Sequence, residues 1–296
     1  MKRMLCVAVA SIALLSACSG GDKASSPEGQ SDYLDRVAAL HAVLARDTSA
    51  AGCAAVRTSS CDRAALDDAV QKFVEQWNKL RPPDDVAESH HNYGTSILNL
   101  SAFAAIPTAE VRDAIKRDPA ILSNALLYQD TSKAWHAAVE AHFGVTLFSI
   151  EGSGMASNLC AGDTFFFKVF DGDPALTRWD IVAFKFPLDT TRDFIKRVVG
   201  LPGETIEVRD SHVYVNGALL EGDTYAKEPP NYTYAARTVP PDSFWVLGDN
   251  RRNSFDSHAW GTSCVTSQQC DFVPKSDVIG TLPPDTKGCR AKTDSS

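Results

Sequence analysis

The sequence predicts an α+β fold, an N-terminal α-helical bundle followed by an antiparallel β-rich domain. Three observations carry this expectation. Through residues 31–146 apolar side chains recur at three-to-four spacing, the period of one helix face. From about residue 147 short runs of Phe, Val, Ile and Tyr alternate with Gly, Pro and Asp turns, the pattern of strands. Within that half, V-Y-V-N-G-A-L-L sets Asn216-Gly217 between two such runs, a strong hairpin signal.

Taken in order, the chain opens M-K-R-M-L-C-V-A-V-A-S-I-A-L-L-S-A-C, two cations and then an apolar run too short to span a bilayer. Leu15-Ser16-Ala17-Cys18 at its end resembles a bacterial lipoprotein signal, which implies cleavage before Cys18 and lipidation of that cysteine. Residues 1–18 are therefore expected to be a leader with its lipobox. Residues 19–30, small and polar, are expected to be a flexible tether. An acylated Cys18 would hold the body near a bacterial membrane, in the periplasm, without spanning the bilayer. Whether that membrane is inner or outer stays open.

Residues 31–146 form the expected helical domain. Leu34, Val37, Leu40, Val43 and Leu44 mark one helix; Leu66, Val70, Phe73 and Trp77 mark a second, which R-P-P ends. Further helices are expected over 92–104, 108–117 and 120–143, the last carrying Trp135, Ala138 and Val139. His41, His90, His91, His136 and His142 lie here. His136 and His142 flank Glu140 without the i, i+4 pair of H-E-x-x-H, so they are expected to be satisfied or solvent-facing. No metal and no cofactor is expected. A docking or spacer role fits this half.

Residues 147–290 form the expected β domain, with strands near 164–170, 180–186, 193–200, 204–209, 212–215, 244–247 and 277–281. Setting aside Cys6 and Cys18, six cysteines remain, an even number that suits disulfides in an oxidising compartment. The local pairings are Cys53 with Cys61 and Cys264 with Cys270, which leaves Cys160 with Cys289. No C-x-x-C occurs to favour a metal site. With a formal net charge of −8 and no lysine-arginine block, nucleic acid is an unsuitable partner.

Two stretches of the β half carry candidate chemistry. In F-I-K-R-V-V-G-L-P-G-E, strand alternation puts Lys196 on the apolar face of Phe194 and Val198. Desolvation there lowers an amine's pKa, and a neutral lysine beside a serine hydroxyl is one route to a serine nucleophile. In L-G-D-N-R-R-N-S-F-D-S-H-A-W-G, a turn-rich loop follows a strand. There Ser254 could hydrogen-bond the amine, and Asp249 or Asp256 could pair with Arg251, Arg252 or a backbone donor.

With I-E-G-S-G-M-A-S-N-L upstream and R-W-D-I-V-A-F between, these segments resemble the bacterial type I signal peptidase family of serine–lysine endopeptidases. The resemblance covers about residues 147–283. It implies that Lys196 is the general base, that Ser254 orients it, and that Asp256 supports the site. His258 stands where an arginine is usual, and Trp179 where a glycine is usual. The nucleophile motif departs most. The family pattern is I-P-S-G-S-M-x-P-T-L, so an ungapped match at Met155 and Leu159 puts Gly154 at the attacking position and Gly152 at the oxyanion serine.

Ser153 lies one residue early. Flanked by two glycines, it could turn its hydroxyl inward and attack in place of residue 154. On that reading the chain is an endopeptidase cleaving exported proteins after small residues, with Ser153 and Lys196 as its dyad. The alternative is an inactive relative that holds an extended peptide, an exported preprotein or another partner without cutting. Either way a peptide would align along a strand edge.

Overall fold

A computed structural model of the chain describes residues 27–53, 61–104, 111–156, 158–260, 270–284, 286, 288 and 289. Five helices come first: α1 (Pro27–Ala50), α2 (Arg63–Trp77), α3 (Asp84–Ala104), α4 (Val111–Arg117) and α5 (Ala120–Phe143). Asp62 caps α2 by accepting a hydrogen bond from the backbone of Ala65 at 3.1 Å. The face of α2 carrying Leu66, Val70, Phe73 and Trp77 is buried, as its spacing predicts. Trp77 packs so closely on α3 that a Cβ at Gly94 would fall 2.4 Å from the indole. α1 begins at Pro27, inside the stretch expected to be tether; proline is tolerated in a first helical turn, where its missing N–H has no partner to lose. α3 begins eight residues before the expected start, with Asp84 and Asp85 suiting the positive end of its dipole.

α5 ends at Gly144, which takes the left-handed conformation (φ 66°) and returns its N–H to the Glu140 carbonyl at 2.8 Å. The next residue starts a strand that sequence reading left unassigned, β1 (Val145–Ser149). The expected domain boundary at 146/147 therefore falls inside β1. The strands that follow are β2 (Thr164–Val169), β3 (Ile181–Phe186), β4 (Asp189–Gly200), β5 (Thr205–Arg209), β6 (His212–Val215), β7 (Ala218–Leu219), β8 (Tyr234–Thr238), β9 (Ser243–Leu247), β10 (Val273–Pro274) and β11 (Val278–Thr281). A short helix, α6 (Ser257–Trp260), precedes β10.

All pairings are antiparallel. One sheet has the order β1-β2-β11-β3-β4-β9-β10, and the other β7-β6-β5-β8. The Asn216-Gly217 turn joins β6 to β7 with positive φ at both residues (53° and 80°), the conformation expected of a type I′ turn. β8 and β10 escaped sequence reading because they are short or contain polar and proline residues.

The helices cover one face of the sheet's first strands. Val145, Leu147 and Phe166 pack against the helical core, while Phe165, Phe167 and Phe148 face a separate cluster with Ile150, Met155 and Leu159. Thr164 ties β2 to α1 by donating to the Ala38 carbonyl at 2.6 Å. Disulfides join Cys53 to Cys61 and Cys160 to Cys289. Cys270 is also disulfide-bonded; its expected partner Cys264 lies outside the described residues, as do Cys18 and the leader. Among the described residues no helix is long and apolar enough to cross a membrane.

Candidate active site

The segment after β1 is pinned along its length. Ile150 donates its N–H to the Asp163 carbonyl at 2.8 Å and accepts from Gly162 at 3.0 Å. Met155 and Leu159 are buried beside it. Between these anchors Asn250 donates its backbone N–H to the Gly154 carbonyl and its side-chain amide to the Ser153 carbonyl, each at 3.1 Å. The 248–254 loop approaches this closely because Gly248 lacks a side chain. A Cβ there would lie 2.4 Å from the Gly154 oxygen and 2.1 Å from Ser254 Oγ.

In this register residues 153 and 154 present themselves oppositely. Ser153 is exposed, and its Oγ accepts a hydrogen bond from Asn253 Nδ2 at 2.9 Å. At Gly154 the missing side chain would point at the lysine: a Cβ would sit 3.5 Å from Lys196 Nζ and 3.4 Å from Ser254 Oγ. The inward turn of Ser153 imagined from its flanking glycines is not the conformation seen. Gly152 does adopt a positive φ (81°), but the bonds from Asn250 and Asn253 hold Ser153 on the outer side.

Lys196 lies on β4 opposite Val182 and is 9% exposed. Its Nζ donates to the Ile195 carbonyl at 2.9 Å and stands 5.3 Å from the Phe194 ring centre. Burial pushes its pKa down, since a charged amine is poorly solvated there; the carboxylates of Asp256 and Asp249 pull weakly the other way. Ser254 Oγ is buried and, among the described residues, has no hydrogen-bond partner.

Of the supporting carboxylates, Asp256 takes a backbone donor as expected, and Asp249 takes an unexpected arginine. Asp249 takes neither Arg251 nor Arg252. Arg197 grips it with Nε at 2.7 Å and Nη2 at 2.6 Å, both groups buried. Arg197 also donates to the Trp179 carbonyl at 2.7 Å and lies over the Tyr225 ring at 3.7 Å. Trp179 has φ 82°, a conformation that explains why glycine suits that turn. Asn158 completes the network, donating to Asp249 at 2.8 Å and to the Tyr225 carbonyl at 2.9 Å. Arg251 pairs with Asp223 at 2.6 Å and Arg252 with Glu228 at 2.8 Å. Asp256 accepts from the Gly248 N–H at 2.8 Å, and His258 Nδ1 lies 2.6 Å from its other oxygen, so the histidine supplies a partner there. Of these, the Arg197–Asp249–Asn158 network was missed by sequence reading. The one available signal was that Arg197 alternates onto the face opposite Lys196.

Lys196 opens onto a cleft of about 880 Å³ between β1 and the first half of β4, lined also by Ser153, Gly154, Phe255 and His136 of α5. Both strands have an unpaired edge there. β1 pairs with β2, and β4 is joined by β9 only from Arg197 onward, among the described residues. Cys160, Asp163 and Cys289 cluster within 4.8 Å elsewhere, but the two sulfurs are bonded to each other and offer no thiolate to a metal.

Residues 132–283, just over half the chain, match the family described as "Signal peptidase, peptidase S26". The chain belongs to this signal peptidase family. Its curated relatives include "Signal peptidase I" of Leptolyngbya laminosa, 49% identical over 87 residues, which covers 29% of this chain and 37% of that protein. "Probable signal peptidase I-2" of Synechocystis sp. is 42% identical over 109 residues, covering 35% and 44% respectively. The chain thus spans less than half the length of either relative. A crystal structure of a signal peptidase I from Enterococcus faecalis V583 is 34% identical, with 38% of this chain and all of that one covered and a TM-score of 0.29. The helices before residue 132 lie outside the match to the signal peptidase family.

Proposed function

We propose that this chain is a signal peptidase relative that binds extended peptides in its cleft and does not hydrolyse them. The observation that carries the reading is the direction of position 154, which faces Lys196 and Ser254 but bears no hydroxyl. Without a nucleophilic oxygen there, no ester to an acyl group can form, however well the lysine is placed. Ser153 cannot substitute without giving up its bond to Asn253 and dragging its carbonyl from Asn250.

The binding part of the reading follows from the two unpaired edges. An extended peptide laid between β1 and β4 would gain main-chain hydrogen bonds on both sides, with side chains alternating into the apolar wall of Ile150, Met155 and Phe194. By analogy with the family, small residues suit such a cleft. Lipidation of Cys18 would localise the protein at a bacterial membrane, residues 19–26 would serve as tether, and the helical layer would act as a docking module.

Cleavage of a small-residue leader peptide tests this directly. Wild type is expected to be no faster than Lys196→Ala, while both bind the peptide. Gly154→Ser is expected to turn over at least about a hundredfold faster than wild type, the range that one restored catalytic group supplies. Wild-type cleavage abolished by both Ser153→Ala and Lys196→Ala would instead establish an endopeptidase with a displaced nucleophile.

A further inference from the structure

The class of peptide that suits the cleft follows from the side chains along its β4 edge, given the binding function proposed above. That edge is unpaired from Asp189 to Lys196, since β9 joins β4 only at Arg197 among the described residues. Side chains alternate between the faces of a strand, so Arg192, Phe194 and Lys196 share one face. Their contacts agree. The Phe194 ring centre lies 5.3 Å from the Arg192 guanidinium and 5.3 Å from Lys196 Nζ. All three residues line the cleft. A guest strand on this edge sets every second residue on the same face, one beside each of them. We propose that the cleft selects peptides carrying an acidic side chain, held by Arg192, four residues from the one that sits beside Lys196, with an apolar residue midway beside Phe194.

Arg192 carries the selection. It is exposed, and among the described residues it forms no ion pair. Its guanidinium stands over the Phe194 ring and, at 6.0 Å, the Phe186 ring. Stacking of this kind holds the planar group in place and leaves its N–H edge free for a carboxylate to take two donors at once. The nearby acids are engaged or distant. Asp189 feels the Arg192 charge, but Thr191 bonds its Oδ1 from the hydroxyl at 2.6 Å and from the N–H at 3.2 Å. Asp193 alternates onto the other face, where its register partner Lys185 neutralises it at 2.7 Å. Glu151, the other carboxylate lining the cleft, is exposed on the opposite wall. On the face of Lys196 the entrance of the cleft thus presents a positive charge that nothing in the fold consumes.

A symmetric peptide tests this whichever way the guest runs. It has nine residues and blocked ends, with alanine at the centre and valine two positions to either side. Both terminal positions are Asp, Asn or Lys, and serine fills the rest. Affinity for the full chain is read by fluorescence anisotropy at about 50 mM salt, where surface charge is little screened. Wild type is expected to bind the Asp form about two- to fivefold tighter than the Asn form, the span of an opposite-charge cross-strand pair, and the Lys form weakest. Arg192→Gln should level the Asp and Asn forms, Arg192→Lys should keep the order, and Arg192→Glu should reverse it in favour of Lys. Arg209→Gln removes an equal charge, also stacked on a ring, from the small sheet and should leave the order intact. Equal binding of the Asp and Asn forms by wild type overturns the proposal. So does an Asp preference that survives Arg192→Glu or disappears in Arg209→Gln. The selection and the function beneath it fail differently. Binding without preference refutes the selection alone, whereas no binding of any form refutes the peptide-binding function and the selection with it.

Discussion

The two walls of the cleft differ in what holds their polar groups. On the lysine wall, Lys196 is buried, Ser254 stands beside it, and Asp249 and Asp256 are each held by two or more donors. On the other wall, position 154 carries no side chain and the adjacent hydroxyl faces outward. The lysine wall is built of buried charges that stabilise the fold as well as the site. Removing one partner there leaves an unpaired charge in a medium that cannot solvate it. The serine wall contributes one exposed hydroxyl, whose loss costs the fold little. Chemistry can therefore disappear from one wall while the other is held in place by folding.

That contrast gives a graded set of expectations. The largest is Asp249→Ala, which strands the Arg197 guanidinium, 5% exposed, and should cost about 3–5 kcal/mol. Urea denaturation measures it, and a cost below about 1 kcal/mol would remove the distinction between the walls.

Next is an acid test of the helical layer behind β1. Desolvation lowers the His41 pKa from 6.5 to about 3, with His136 adding repulsion, and lowers that of His90 to about 4. The unfolded chain then binds more protons below pH 6.5, so this stability is fully present above 6.5 and drains as pH falls toward 3. The loss is on the order of a few kcal/mol. It should shrink in a His41→Phe variant followed by circular dichroism across that range. Unchanged acid sensitivity in that variant would detach His41 from the effect.

Smaller still is Ser153→Ala, which removes one exposed hydrogen bond and should change stability by less than about 1 kcal/mol. Peptide affinity, read by anisotropy, should stay within about twofold. The smallest is Gly154→Ala, whose Cβ meets only ordinary contacts; it should lie within about 0.5 kcal/mol of wild type by thermal melting. A larger loss would mean that the space beside Lys196 is tighter than its geometry.

The fold class was legible because its signals are redundant. Leu66, Val70, Phe73 and Trp77 recur with helix period, and Asn216-Gly217 suits the left-handed angles of a type I′ turn. β1 was not legible. Five residues directly after a helix carry too little pattern to be told from its last turn. At the site, the alternation in F-I-K-R-V placed Lys196 against Phe194 and Arg197 on the opposite face. The orientation of Ser153 was out of reach, because it is set by Asn250 and Asn253, about a hundred positions downstream. The histidines divide in the same way. His142 finds Asp85 at 2.8 Å and His90 finds Tyr33 at 3.0 Å, but His41 buries an Nε2 without a hydrogen-bond partner among the described residues, contrary to the expectation of a satisfied or exposed ring.

A single residue, Gly144, separates α5 from β1, and no neighbour would touch even a Cβ placed there. The long helix and the rim of the cleft are thus joined through one residue and through the packing of Val145 and Leu147 on the helical core. Any coupling between a partner on the helices and a guest in the cleft would have to act equally in both directions.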